Sequence, residues 1–107
     1  MAFRTDLDAV ILATLADGAL HGYGIVKRVR DSSLGLLRLG EGQLYPALHK
    51  LEELGFVSAE WTVETGKPSR RIYSLTALGT RELQKCRTDW KRFVKSINSV
   101  LKTNSEP

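Results

Sequence analysis

Apolar and polar positions follow two rhythms along this chain, and the rhythm changes at Phe56. Between Gly40 and Gly55, the run GEGQLYPALHKLEELG sets Leu44, Leu48, Leu51 and Leu54 on one stripe while Gln43, His49, Lys50 and Glu53 project elsewhere. Spacing of three and four is the mark of an amphipathic helix, and Gly55 supplies its left-handed stop. From Phe56 the period is two: Val57, Ala59, Trp61 and Val63 share one face, and Ser58, Glu60, Thr62 and Glu64 share the other. The first face, Trp61 included, reads as the core of a hairpin. Gly66 and Pro68 turn the chain within TGKPS (65–69), and RRIYSL (70–75) returns as a β-branched and aromatic strand.

Two helices precede this unit. Thr5 is positioned to cap the first, with Asp8 three residues on as its capping-box partner, and Leu7, Val10, Ile11 and Leu15 form its apolar face. Asp17 and Gly18 end it. The second begins near His21, with Ile25 and Val29 one turn apart on the buried side and Lys27, Arg28 and Arg30 toward water. Asp31 to Ser33 and Gly35 break it. Leu34, Leu36, Leu37 and Leu39 then make the connection to Gly40 too apolar for a free loop, so a short strand against the hairpin is expected there. Pro46 cannot donate to the Gly42 carbonyl and crowds it, which predicts an irregular or kinked first turn in the third helix.

After Thr76, a natural N-cap, Leu83, Cys86, Trp90, Phe93, Ile97 and Val100 follow at alternating steps of three and four, a heptad seam. A helix from Ala77 to Leu101 would run roughly 37 Å at 1.5 Å per residue, longer than a body of three helices and a hairpin can cover. The simplest cover for the remainder is a second copy across a twofold axis, because identical stripes are self-complementary. The whole seam, Leu83 to Val100, is therefore read as a homodimer interface.

Composition sharpens this picture. A chain of 107 residues buries one core, and a deep catalytic cleft is hard to build on it. The net charge of +4 favours a polyanionic partner, and its placement adds weight: between Thr65 and Leu75 the charges are Lys67, Arg70 and Arg71, with no acid. The bland alternative is an ordinary solvated turn. One cysteine, Cys86, excludes an internal disulfide and agrees with a reducing cytoplasm. No run approaches the ~20 apolar residues that span a bilayer, and the N-terminus lacks a signal pattern, so no membrane role is expected. His21, His49 and Cys86 sit in separate elements without ligand-like spacing, and no phosphate loop or nucleophile elbow occurs. The chain is expected to be no enzyme and to need neither metal nor cofactor.

HGYGI (21–25), LYPALHKLEELG (44–55), RRIYSLTALG (70–79) and Trp90 together resemble the PadR family of winged-helix transcriptional regulators, across nearly the whole chain. The single C-terminal helix resembles the compact branch of that family. The resemblance implies a mainly α (α+β) winged helix-turn-helix: residues 1–75 as the DNA-binding domain, 76–102 as the dimerisation helix and 103–107 as a disordered tail. It also implies a homodimeric repressor of a pseudo-palindromic operator in double-stranded DNA, with the third helix in the major groove and the hairpin on adjacent backbone or minor groove. The DNA-binding set is then Gln43, Tyr45, His49 and Lys50 with Lys67, Arg70 and Arg71. Tyr45 falls on the family's helix-start motif, whose tyrosine touches DNA backbone. Gln43 departs from that motif, which usually has a small hydroxyl residue there, and a Gln amide can read adenine instead.

Other residues carry two readings each. Tyr45 is a half-buried aromatic or a phosphate contact, and His49 is a solvated imidazole or a DNA contact. His21 reads as satisfying local backbone groups or, alternatively, as a pH sensor. Trp90, with Phe93, is interface packing or a platform for a small planar aromatic effector between two subunits, as in some members of the family. Cys86 reads as a small apolar seam residue. The competing function from another class is a protein-interaction adaptor, with the winged helix as docking surface and the last helix as a coiled-coil arm.

Overall fold

The computed structural model describes residues 7–105, with side chains through 102. The capping expectation at Thr5 lies outside these residues. In chain order the elements are α1 (Leu7–Leu15), β1 (Leu20–His21), α2 (Gly22–Ser32), α3 (Glu41–Glu53), β2 (Val57–Thr62), β3 (Arg70–Leu75) and α4 (Ala77–Ser105). Ile11, Leu12 and Leu15 of α1 meet Ile25 and Val29 of α2 and Leu44, Ala47, Leu48 and Leu51 of α3 in a single core cluster. Val57 and Tyr73 close it from the sheet and Leu83 from α4. The predicted apolar face of α2 is the one observed, whereas on α1 Leu12, outside the predicted face, is fully buried beside Ile11 and Leu15, and Leu7 and Val10 are only part-covered. On α3, Ala47 takes the inward place expected of Leu54, which sits at the C-cap and is 52% exposed.

The helix ends have local causes. Gly55 adopts φ 81°, and the N–H of Phe56 reaches back to the Leu51 carbonyl at 2.9 Å, the left-handed stop that a glycine permits. Thr76 caps α4: its Oγ accepts from the Gly79 N–H at 3.0 Å and donates to the Gly55 carbonyl at 2.6 Å, so one hydroxyl ties the start of α4 to the end of α3. α3 runs unbroken through Pro46, whose missing N–H falls early in the helix on the exposed side.

The sheet is antiparallel in the order β1-β3-β2, with Leu20 opposite Tyr73 and the hairpin pairing Val57 with Leu75 through Thr62 with Arg70. Its third strand is not where the apolar run predicted it. Residues 34–39 form no strand; Leu34 and Leu36 are 96% and 85% exposed, and the chain turns at Leu34 (φ 55°) and Gly35 (φ 83°). Two residues, Leu20 and His21, pair with β3 instead. Trp61 is a second correction. It has the inward parity of Val57 and Ala59, but it lies toward the far end of the hairpin, beyond the helices, and is 65% exposed.

α4 departs from the predicted partition at both ends. Leu83, expected in the dimer seam, is 2% exposed and belongs to the core of the body, so the body does not end at residue 75. The helix also continues to Ser105, past the boundary at 102. Its length gives the molecule principal extents of 66 × 28 × 22 Å and a radius of gyration of 16.5 Å, against roughly 13 Å for a compact chain of about 100 residues. Along this arm Cys86, Phe93 and Ile97 are part-covered, while Trp90 and Val100 are exposed.

Candidate nucleic-acid interface

α3 buries one side against the body, so Gly42, Pro46, His49 and Glu53, spaced at four, three and four, make its outermost stripe. Gln43 and Lys50 flank this stripe on one side and Tyr45 and Glu52 on the other. Gln43 is exposed and reaches back to the start of the helix, its Oε1 accepting from the Gly40 N–H at 3.4 Å. His49 Nε2 lies 2.8 Å from Glu53, one turn on, and Lys50 Nζ lies 2.6 Å from Asp8 of α1. Lys67, near the hairpin tip, lies 3.1 Å from Glu64. The His49, Lys50 and Lys67 side chains are each more than half exposed, although Asp8 is part-covered, and pairs of that kind cost ~1 kcal/mol or less to open. His49, Lys50 and Lys67 therefore remain available to a polyanion.

Arg70 and Arg71 are adjacent in sequence and meet different partners. Arg71 turns inward: its Nη2 lies 2.8 Å from Glu52 of α3, its Cζ lies 5.9 Å from the centre of the Tyr73 ring, and its Nε is buried with no hydrogen-bond partner among the described residues. The Glu52 and Arg71 side chains are 27% and 38% exposed, so this pair is the best shielded ion pair of the interface and fastens the hairpin to α3. Arg71 is thus less a free phosphate contact than a strut. Arg70 meets no carboxylate among the described residues; its Nη1 lies 3.2 Å from His21 Nε2.

Between α2, α3 and β3 lies a recess of about 370 Å³ lined by His21, Gly22, Tyr23, Tyr45, Arg70, Arg71 and Tyr73. It joins three residues expected at the interface, Tyr45, Arg70 and Arg71, to four that were not. His21 is the N-cap of α2, its Nδ1 accepting from the Gly24 N–H at 3.1 Å, which bears out the reading that it satisfies local backbone. Gly22 is glycine for a reason of space, since a Cβ there would collide with the Tyr45 hydroxyl and lie 2.8 Å from its Cζ. The HGYG run and the tyrosine of α3 are one packing unit. Tyr73 is buried, and desolvation raises its phenol above the ordinary value, with Arg71 acting in the opposite sense.

The arm carries the other candidate residues. Trp90 and Phe93 have ring centres 5.6 Å apart, and Trp90 is 47% exposed. Trp90, Val94 and Asn98 border an open groove of about 480 Å³ flanked by Lys91, Lys95 and Lys102. Cys86 places its sulfur 3.9 Å from the Glu82 carboxylate.

Three helices with an exposed third, beside an antiparallel hairpin held against it, define a winged helix-turn-helix protein. Residues 11–85 match the model of the transcriptional regulator PadR-like family, and the chain belongs to that family. It is 32% identical over 84 residues to the negative transcriptional regulator PadR of Bacillus subtilis, covering 78% of this chain but 44% of that protein, so it spans less than half the length of that relative. The structure of a transcriptional regulator from Clostridium thermocellum superposes with a TM-score of 0.81 at 30% identity, over 87% of this chain and 90% of that one. The structure of Bacillus subtilis PadR in complex with operator DNA matches with a TM-score of 0.68 at 31% identity, over 75% of this chain and 45% of that one. Among the described residues no helix is long and apolar enough to cross a membrane.

Proposed function

We propose that two copies of this chain bind a pseudo-palindromic operator in double-stranded DNA and repress transcription in the cytoplasm, acting by occupancy and not by catalysis. The observation that carries this reading is the junction of α3 with the base of the hairpin. Tyr45 and Arg70 line one recess there, and the Arg71–Glu52 pair fixes the angle between a helix sized for the major groove and a basic ribbon beside it. Gln43, His49 and Lys50 then face base edges and phosphates, while Lys67 and Arg70 neutralise backbone charge. The seam from Trp90 to Val100, exposed at both of those residues, is the surface a second copy covers, placing two α3 helices on two half-sites.

Selection of bound sequences from random duplex DNA tests the proposal. Enrichment of an inverted repeat with half-sites about one helical turn apart is the expected result. An adaptor that docks proteins through the same surface would enrich nothing. The effector belongs to the same proposal: a planar aromatic compound stacking at Trp90 and Phe93 would shift the arms and release DNA. In a Trp61→Phe background, quenching of Trp90 and loss of operator binding should follow one saturation curve.

A further inference from the structure

The contact between His21 and Arg70 sets two donors against each other and calls for an acceptor between them. His21 Nδ1 accepts from the Gly24 N–H, which in a neutral imidazole places the ring proton on Nε2. That Nε2–H faces Arg70 Nη1 at 3.2 Å, and a guanidinium offers donors alone. Two donors therefore meet face to face. The other tautomer moves the conflict to the Gly24 amide, and a protonated ring keeps it at Arg70 and adds it at Gly24. One oxygen set before both nitrogens, ~2.8 Å from each, resolves it and receives two hydrogen bonds, one of them charge-assisted.

The surroundings fit an anionic oxygen. Arg71 is neutralised by Glu52, which leaves Arg70 as the formal charge of the recess, and among the described residues no acid lines it. The first turn of α2 begins at Gly22, so the amides of Gly22 and Tyr23 bring the positive end of an 11-residue helix to the same place. The Tyr45 hydroxyl stands at the wall against Gly22, on a side chain that is part of the recess lining. We propose that this recess is a built phosphate seat, in which His21 Nε2–H and the Arg70 guanidinium together hold one phosphodiester oxygen of duplex DNA, with the Tyr45 hydroxyl beside them. The inference rests on the DNA-binding reading and adds to it a histidine whose cap bond fixes its tautomer for phosphate. His21 is thereby a contact residue as well as a cap. Lys67, by contrast, reaches backbone from a flexible stem at the hairpin tip.

The test measures binding of the purified protein to a mixed-sequence duplex across salt concentrations, with melting temperature as the control for folding. His21→Asn keeps an oxygen that can cap Gly24 but has no donor at the position of Nε2. Both His21→Asn and Arg70→Gln should weaken binding about tenfold, and the double variant should lose clearly less than the product, because both groups hold one phosphate. Arg70→Gln should also flatten the slope of log affinity against log salt by about 0.9, and His21→Asn should leave the slope unchanged. His21→Asp, which caps equally well but adds a negative charge, should bind more weakly than His21→Asn at an unchanged melting temperature.

Wild-type affinity in His21→Asn, or losses that multiply in the double variant, would overturn the shared seat while leaving DNA binding intact. A wild-type protein that ignores duplex DNA would instead sink the DNA reading. Titration with inorganic phosphate then decides the seat alone: saturable shifts of the His21 ring resonances would assign it to a free anion, and their absence would dismiss it.

Discussion

α4 is one helix with one seam, and its two halves live in different surroundings. Leu83 and Val100 both lie on that seam, yet Leu83 is 2% exposed within the core and Val100 is 60% exposed on the arm. The periodicity that joins them reports which face is apolar and says nothing of what covers it. The same contrast recurs inside the interface. Arg71 and Lys67 are both cations of the hairpin, but one is shielded against Glu52 and the other pairs with a neighbour in open solvent. Pattern identifies candidates, and distance along the fold decides their work.

The largest effect should come from breaking the contrast along the seam. Leu83→Ala should cost ~2–5 kcal/mol in urea unfolding, from lost transfer energy and a residual cavity, whereas Val100→Ala in dilute protein should stay within ~0.5 kcal/mol. Equal costs would mean that the arm is already covered within one chain. Replacing Phe93, Ile97 and Val100 together with Ser should halve the mass seen by sedimentation with little change in the body's unfolding; an unaltered mass would remove the seam from self-association.

Gly22 and Gly42 differ in the space a side chain would find. Gly22→Ala should destabilise by ~1–3 kcal/mol because the new methyl meets the Tyr45 ring, and a Tyr45→Ala background should relieve most of that cost. Gly42→Ala, on the open stripe of α3 with nothing within 4 Å, should stabilise by ~0.5–1 kcal/mol. The hairpin cations come third: Arg71→Met should cost about 1 kcal/mol by leaving Glu52 unpaired, and Lys67→Ala should cost less than ~0.5 kcal/mol. Indistinguishable midpoints for the two variants would mean that the Arg71–Glu52 strut does not hold.

The smallest effect concerns Tyr73, whose phenol is raised above 10.0 by burial. The unfolded chain releases that proton first, so between the two values it binds fewer protons, and stability should fall as pH rises past about 10 while staying flat below. Tyr73→Phe should remove that fall. A fall that persists in Tyr73→Phe would place its origin in another group.

The four helices and the hairpin were legible because each repeats its signal over many residues; the leucines of α3, the alternation from Val57 and the cap at Thr76 each predict their own structure. β1 was not, since two residues carry no period, and its pairing with Ile72 and Tyr73 depends on a fold that brings Leu20 across the chain. Leu34, Leu36 and Leu37, which the fold leaves exposed, outweighed it by composition alone. Trp61 had the right parity, but the reach of the helices beneath it is not written in a strand. In the site, Tyr45 and Arg70 were legible as charge and motif. The partners Asp8 and Glu52 were not, because Lys50 and Arg71 find them 42 and 19 residues away. His21 was legible as a cap, and its second nitrogen gained meaning from the neighbouring strand.

The dependence of binding on salt shows whether this surface neutralises the phosphates of duplex DNA. With the purified protein and a random-sequence duplex, log affinity should fall linearly with log salt, by about 0.9 for each phosphate contacted, so that several contacts give a slope of several units. A slope near zero, or no duplex binding at low salt, would contradict the account.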